Sequence, residues 1–165
     1  GTIGVWAACQ LVGARPLSTV ASFLPAVAFG QSIGRVSCFL VGCCFGKPTV
    51  LPWGVRFQPL TRAGLAFGPT PLHPTQLYDA AACAILTILL WRSWQSKADR
   101  RTVGLYFVGY GTTRFFVEFL RADPRPVVAA LTIPQWASVA FVLGGCIVWC
   151  GICYRVAGDP ESVQE

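Results

Sequence analysis

Long apolar stretches alternate with short polar ones along this chain. The apolar stretches cover residues 18–41, 76–91, 103–120 and 132–154, and residues 1–13 resemble the end of another. A helix needs about 20 mostly apolar residues to cross a bilayer. The pattern therefore predicts an all-α polytopic membrane protein with about four full transmembrane helices and a partial N-terminal one. We expect a single transmembrane domain over 1–155, a kink at Pro25 and a cytoplasmic tail at 156–165.

The polar stretches predict the loops and the orientation. Residues 42–75 are rich in Gly, Pro and Thr, which indicates an irregular loop. Basic residues favour the cytoplasmic side of a membrane, and the short connection after Trp91 carries four of them. The loops at 42–75 and 121–126 are then expected to be extracytoplasmic. The four basic residues are Arg92, Lys97, Arg100 and Arg101.

Composition agrees with a membrane location. The chain is 54% hydrophobic and 12% charged, with a mean hydropathy of +0.56, whereas soluble domains carry about 25% charged residues. The net charge of +6 lies beside the apolar stretches, which favours membrane lipid as a partner and argues against nucleic acid. Most of the eight cysteines lie inside apolar stretches, where cysteine behaves as a small hydrophobic residue.

Charged residues inside the apolar stretches are the first candidates for chemistry. Arg35 lies in the first stretch, and Arg114 and Glu118 lie in the third, with Arg121 just after it. A charge at the bilayer centre costs about 2.5–3.5 kcal/mol on insertion scales. One interpretation is a structural ion pair between Arg114 and Glu118, four residues apart on one helix face, or snorkelling. The other is an outward-facing cavity whose arginines bind a phosphate.

The single histidine, His73, begins a second polar cluster. Thr75, Gln76, Tyr78 and Asp79 follow it where an apolar helix starts. Such a cluster either lines a polar site or caps the helix, a role that Thr75 and Asp79 are able to fill.

At family level the sequence resembles the prolipoprotein diacylglyceryl transferases. The segments that carry the resemblance are GRVSCFLVGCCFGKPT at 34–49, PWGVRF at 52–57, HPTQLYDA at 73–80, YGTTRFFVEFLRADP at 110–124 and IPQWAS at 133–138. GTIG at 1–4 resembles the tail of the family's His-Gly-Gly motif. We therefore expect an N-terminally truncated or divergent member of that family.

The resemblance implies a multi-pass enzyme of the bacterial inner membrane with its active site on the extracytoplasmic side. Members move the diacylglyceryl unit of phosphatidylglycerol onto the lipobox cysteine of a prolipoprotein, and no metal or organic cofactor is expected. By motif position, Arg35 and Arg114 are expected to be catalytic. The candidate base is His73, or a family histidine expected just before Gly1.

Further positions match the family's motifs and are expected to contact substrate. Cys38 is also a departure, because many members have an asparagine there, and a thiol forms weaker hydrogen bonds. The expected substrate-binding residues are Gly34, Cys38, Gly46, Gln76, Tyr78, Glu118, Arg121 and Gln135.

Two alternatives remain from the sequence. The chain is a non-catalytic phospholipid-binding paralogue, or it is a membrane protein that handles thiols or zinc. For the second alternative, Cys38, Cys43, Cys44 and His73 offer four soft ligands, although their spacing does not match a common C-x-x-C zinc motif.

Overall fold

Four long helices, one short helix and a two-stranded hairpin make up the computed structural model, which describes residues 13, 15–122 and 126–151. Apart from Gly13, the expected partial helix at 1–13 lies outside the described residues, and so does the expected tail at 156–165. In chain order the elements are α1 (Pro16–Val41), α2 (Arg62–Phe67), α3 (Thr75–Gln95), α4 (Asp99–Leu120), β1 (Val127–Val128), β2 (Leu131–Thr132) and α5 (Ile133–Cys150).

The helix boundaries follow local chemistry more closely than hydropathy. α1 starts with Pro16, whose fixed φ suits a first helical turn, and stops at Gly42 in the left-handed conformation with φ 68°. The helix continues through Pro25, which is buried. α3 and α4 extend beyond the predicted apolar stretches, because polar residues such as Arg92 also favour helix.

The apolar composition of the long helices differs. Within the described residues, α1 and α5 are long and apolar enough to cross a membrane. α3 and α4 do not meet that criterion by composition, and α4 carries charges at both of its ends. The helical fold and its two apolar spans agree with a membrane location, while the crossing of α3 and α4 stays a prediction.

The core lies between α1, α3 and α4. Leu90 on α3 and Ala21 and Ala28 on α1 are fully buried, and Gln31 of α1 donates a hydrogen bond to the Tyr106 hydroxyl of α4 at 2.9 Å. This core occupies one end of the three helices. Its buried members are Ala21, Leu24, Ala28, Leu86, Leu90, Val103 and Tyr106.

α5 packs along α4 through what we call the glycine seam, formed by Gly104 and Gly111 of α4 and Ser138 and Gly145 of α5. A Cβ on Gly104 would lie 2.8 Å from the Cβ of Trp149, and one on Gly111 would lie 2.9 Å from the Ser138 carbonyl oxygen. Each pair is seven residues apart, so its members fall on the same face of a helix. The backbones therefore meet without room for a side chain.

The loop at 42–75 is more ordered than the predicted irregular segment. Thr61 caps α2 by accepting a hydrogen bond from Gly64 N. The Gly46 N–H donates to the His73 carbonyl at 3.0 Å, and the Lys47 N–H donates to the Leu120 carbonyl at 2.7 Å. The loop therefore inserts an extended segment, 45–48, between the start of α3 and the end of α4. We call this arrangement the backbone ladder.

Candidate functional site

Charged side chains from three helices meet beyond the apolar core. Arg35 Nε of α1 lies 3.3 Å from Asp79 Oδ2 of α3, and Arg114 Nη1 of α4 lies 3.7 Å from the same oxygen. Arg114 Nη2 also lies 3.2 Å from Glu118 Oε2, one helical turn further along α4. The Arg114–Glu118 pair, one of the two interpretations drawn from the sequence, is formed, and Asp79 joins it to Arg35.

This ionic cluster is buried and carries excess positive charge. The exposed fractions of the side chains are 20% for Arg35, 13% for Arg114, 5% for Asp79 and 2% for Glu118. Arg121, at the end of α4, is also buried, and its charge acts on Asp79 together with the other two arginines. Three guanidinium groups against two carboxylates leave one net positive charge, which favours an anionic ligand.

The proposed capping role of Asp79 and Thr75 is wrong. α3 has Pro74 at its N-cap and no side-chain cap. Asp79 instead faces the two arginines, and the Thr75 hydroxyl donates to the Cys44 carbonyl at 2.9 Å. Asp79 is the site residue that the motif-based assignment missed. Its signal in the sequence is an acid within an apolar helix of a chain whose other apolar helices contain Arg35 and Arg114.

Gln76 binds backbone in this structure. It is buried, and its Nε2 donates to the Cys43 carbonyl. Together with Thr75, it fixes the turn that follows α1. The Oε1 atom of Gln76 has no hydrogen-bond partner among the described residues. The expected role of Gln76 in substrate binding stays a prediction.

His73 lies in a hydrogen-bonded row with Tyr78 and Trp53. The His73 Nδ1 is 3.3 Å from the Tyr78 hydroxyl, which accepts a hydrogen bond from Trp53 Nε1 at 2.8 Å. Gly46 bonds to the His73 backbone on one side and pairs with Arg121 on the other. Two strand spacings, roughly 10 Å, therefore separate the His73 and Arg121 backbones. Trp53 was not singled out from the sequence, and it is 56% exposed, so burial gives no signal for a partner of its indole N–H.

The two glycines expected to contact substrate differ in surroundings. A Cβ on Gly34 would meet nothing within 4 Å, so the α1 surface is open there. A Cβ on Gly46 would lie 2.6 Å from the Cβ of His73, so the backbone ladder admits no side chain at that position.

Gln135 forms a hydrogen bond with the backbone of Thr132. Its Oε1 accepts a hydrogen bond from the Thr132 N–H at 2.9 Å, completing a capping box at the start of α5. The Thr132 hydroxyl also lies 3.4 Å from Glu118 Oε1. The start of α5 therefore connects to the ionic cluster, and a direct contact of Gln135 with substrate stays a prediction.

Three cysteines converge beside the cluster. The sulfur atoms of Cys38, Cys43 and Cys44 lie within 4.8 Å of one another. His73 is not part of this group, so the four-ligand arrangement considered from the sequence is not formed. Burial and the two neighbouring cysteines raise the pKa of the Cys43 thiol to about 11.

The sequence matches one protein family over most of its length. The family model described as prolipoprotein diacylglyceryl transferase matches residues 1–151. Among the relatives, the phosphatidylglycerol–prolipoprotein diacylglyceryl transferase of Clostridium tetani is 39% identical over 150 residues, or 90% of this chain. The corresponding protein 2 of Clostridium perfringens is 34% identical over 151 residues, also 90% of this chain.

The matched segment is a part of those relatives. It spans 59% of the Clostridium tetani protein and 57% of the Clostridium perfringens protein. The family model nevertheless covers most of this chain, including the helices that carry Arg35, Asp79 and Arg114. The chain therefore belongs to the prolipoprotein diacylglyceryl transferase family.

Proposed function

We propose that this protein transfers the diacylglyceryl group of phosphatidylglycerol to the lipobox cysteine of a prolipoprotein. The observation that carries the proposal is the buried ionic cluster, where Arg35 and Arg114 meet at one carboxylate oxygen of Asp79. The partners are phosphatidylglycerol, the lipobox segment and the surrounding membrane lipid. The site faces the extracytoplasmic side of the bacterial inner membrane.

The reaction raises negative charge on a phosphate. The cysteine sulfur forms a bond to the glycerol carbon, and the bond from that carbon to the phosphate oxygen breaks. Glycerol phosphate leaves with both electrons of the broken bond, and the thiol proton passes to a base. A phosphodiester with one negative charge thereby becomes a monoester with two.

Arg35 and Arg114 supply positive charge where this negative charge develops. Their guanidinium groups stay protonated, and each presents a planar set of donors that matches phosphate oxygens. Helix packing and Asp79 already hold them in place, so little reorganisation is needed when the bond breaks. The phosphate binds guanidinium N–H groups that Asp79 does not occupy.

We assign the proton transfer to His73. A thiol with an ordinary pKa near 8.5 is mostly protonated at neutral pH, and the thiolate is the nucleophile. When Nδ1–H donates to the Tyr78 oxygen, the lone pair on Nε2 is free to accept the thiol proton. Trp53 then holds Tyr78 in position through its 2.8 Å hydrogen bond.

A transfer assay with purified chain in detergent tests the proposal. Phosphatidylglycerol and a lipobox peptide are supplied, and mass spectrometry measures the peptide that gains a diacylglyceryl group. Arg35→Lys and Arg114→Lys keep the charge but lose the planar donor set, and we expect each to lower the rate about 10²–10³-fold. Arg62→Lys, on the exposed surface of α2, is the matched control and should transfer normally.

Two results contradict the proposal. Transfer by Arg35→Lys and Arg114→Lys at the rate of the unsubstituted chain would remove the phosphate-binding role of the cluster. Binding of phosphatidylglycerol without any thioether product would favour the non-catalytic phospholipid-binding alternative.

A further inference from the structure

The three clustered cysteines occupy a turn whose shape is fixed by other residues. Gly42 and Cys44 both have left-handed backbone conformations, with φ of 68° and 59°. A non-glycine residue rarely adopts this conformation, and its cost is about 1–3 kcal/mol. Cys44 adopts this left-handed conformation although glycine would be less strained in it.

Two buried side chains hold this turn in place. Thr75 donates to the Cys44 carbonyl, and Gln76 donates to the Cys43 carbonyl. Both are among the most buried polar residues described. The Cys43 thiol also points back to the Cys38 carbonyl, with a sulfur–oxygen distance of 3.6 Å. The convergence of the sulfur atoms is therefore built into the fold.

We infer that Cys38, Cys43 and Cys44 form a binding site for one soft metal ion, with Cu(I) as the best match. Thiolate sulfur is the ligand that such ions prefer, and Cu(I) accepts three thiolates in a plane. The ion takes no part in the proposed transfer chemistry, although Cys38 is also an expected substrate-binding position, and its binding requires neither phospholipid nor peptide.

The dimensions suit a metal ion after a small movement. Metal–sulfur bonds of about 2.3 Å place three coplanar sulfur ligands roughly 4 Å apart. The observed separations are within 4.8 Å, so adjustments of less than about 1 Å in the side chains complete the site. All three residues are partly exposed, which leaves the ion a path from solvent.

Charge and proton balance follow from the ligands. Three thiols release three protons when they bind one Cu(I), and the resulting complex carries two negative charges. Arg35 lies one turn before Cys38 on α1 and supplies nearby positive charge. Because the three thiols lose their protons when the ion binds, protons compete with the metal, and we expect the affinity to increase with pH.

A competition titration of the full chain in detergent tests the site. Under anaerobic conditions, Cu(I) is supplied as its complex with a chromophoric chelator, and absorbance reports how much metal the protein removes. We expect one equivalent per chain, and at least a tenfold lower affinity in Cys38→Ser, Cys43→Ser and Cys44→Ser. Cys146→Ser and Cys150→Ser, on the exposed surface of α5, should bind like the unsubstituted chain.

A second measurement uses the unsubstituted chain and does not depend on how the variants fold. Maleimide labelling followed by peptide mass spectrometry should show that Cu(I) protects Cys38, Cys43 and Cys44 but not Cys146. Equal protection of all four would contradict the site. A disulfide between two of the three cysteines in protein isolated from membranes would also overturn it, because the thiols would then serve a redox role.

Discussion

Two parts of α4 are joined to their neighbours in different ways. In its last two turns, Arg114 pairs with Glu118 and with Asp79 of α3, which also pairs with Arg35 of α1. Earlier in the helix, Gly104 and Gly111 let the backbone of α5 approach closely. Apolar packing gains little hydrophobic free energy in lipid, so helices there associate through polar contacts or close backbone approach. α4 uses both.

The ionic cluster serves the proposed chemistry, and the glycine seam serves the stability of the helix packing. The ionic cluster places charged donors where a ligand binds, so its ion pairs and its ligand contacts use the same side chains. In the glycine seam the Ser138 hydroxyl donates within α5, to the Pro134 carbonyl at 2.8 Å, so the seam fixes α4 by shape. Substitutions should therefore affect transfer and stability together in the cluster, and mainly stability in the seam.

The largest effect is expected from Asp79→Ala. Removing one partner from a buried ion pair costs about 3–5 kcal/mol, because the other charge remains buried, and here two arginines lose their shared carboxylate. Chemical denaturation in detergent measures the free energy of unfolding. Asp99→Ala, at the start of α4, is the control and should cost about 0.3–1 kcal/mol. Equal losses for both variants would show that the cluster does not join the three helices.

A smaller effect is expected in the glycine seam. Gly145→Ala places a Cβ 2.9 Å from the Cβ of Phe107 and from the backbone N of Val108, and overpacking of this kind costs about 1–3 kcal/mol. Gly144→Ala is a matched control, since its Cβ would meet nothing within 4 Å. The same denaturation experiment compares the two. If they are equally stable, the seam tolerates side chains and the contrast between the two parts of α4 fails.

The smallest effect is expected at Trp53. Trp53→Phe removes the hydrogen bond to Tyr78, which is worth about 1 kcal/mol, and we expect about a fivefold lower transfer rate with a changed pH profile. Trp91→Phe, at the other end of α3, should leave the profile unchanged. An unaltered profile in Trp53→Phe would separate His73 and Tyr78 from the chemistry.

Sequence patterns predicted the helices and one ion pair, but they did not predict the contacts between helices. Apolar stretches located all four long helices, and the four-residue spacing of Arg114 and Glu118 predicted their pair. The place of Asp79 could not be predicted, because it depends on how α1 and α4 lie against α3. The glycine seam was also missed, since glycines seven residues apart become a contact only when a second helix presents small residues opposite them.

The order within the loop was missed for a related reason. Gly, Pro and Thr are enriched in irregular segments, and their hydrogen bonds in 42–75 go to partners distant in sequence. The Gly46 N–H pairs with His73, and the Lys47 N–H pairs with Leu120. Local composition carries no signal for such pairs.

The backbone ladder limits how far α3 and α4 can slide past each other. Segment 45–48 bonds to the start of α3 on one side and to the end of α4 on the other. A slide of either helix by one residue would move its end by about 1.5 Å, which is enough to break these hydrogen bonds. α3 and α4 therefore keep a constant offset along their axes, and the positions of Asp79, Arg114 and Arg121 relative to one another stay fixed.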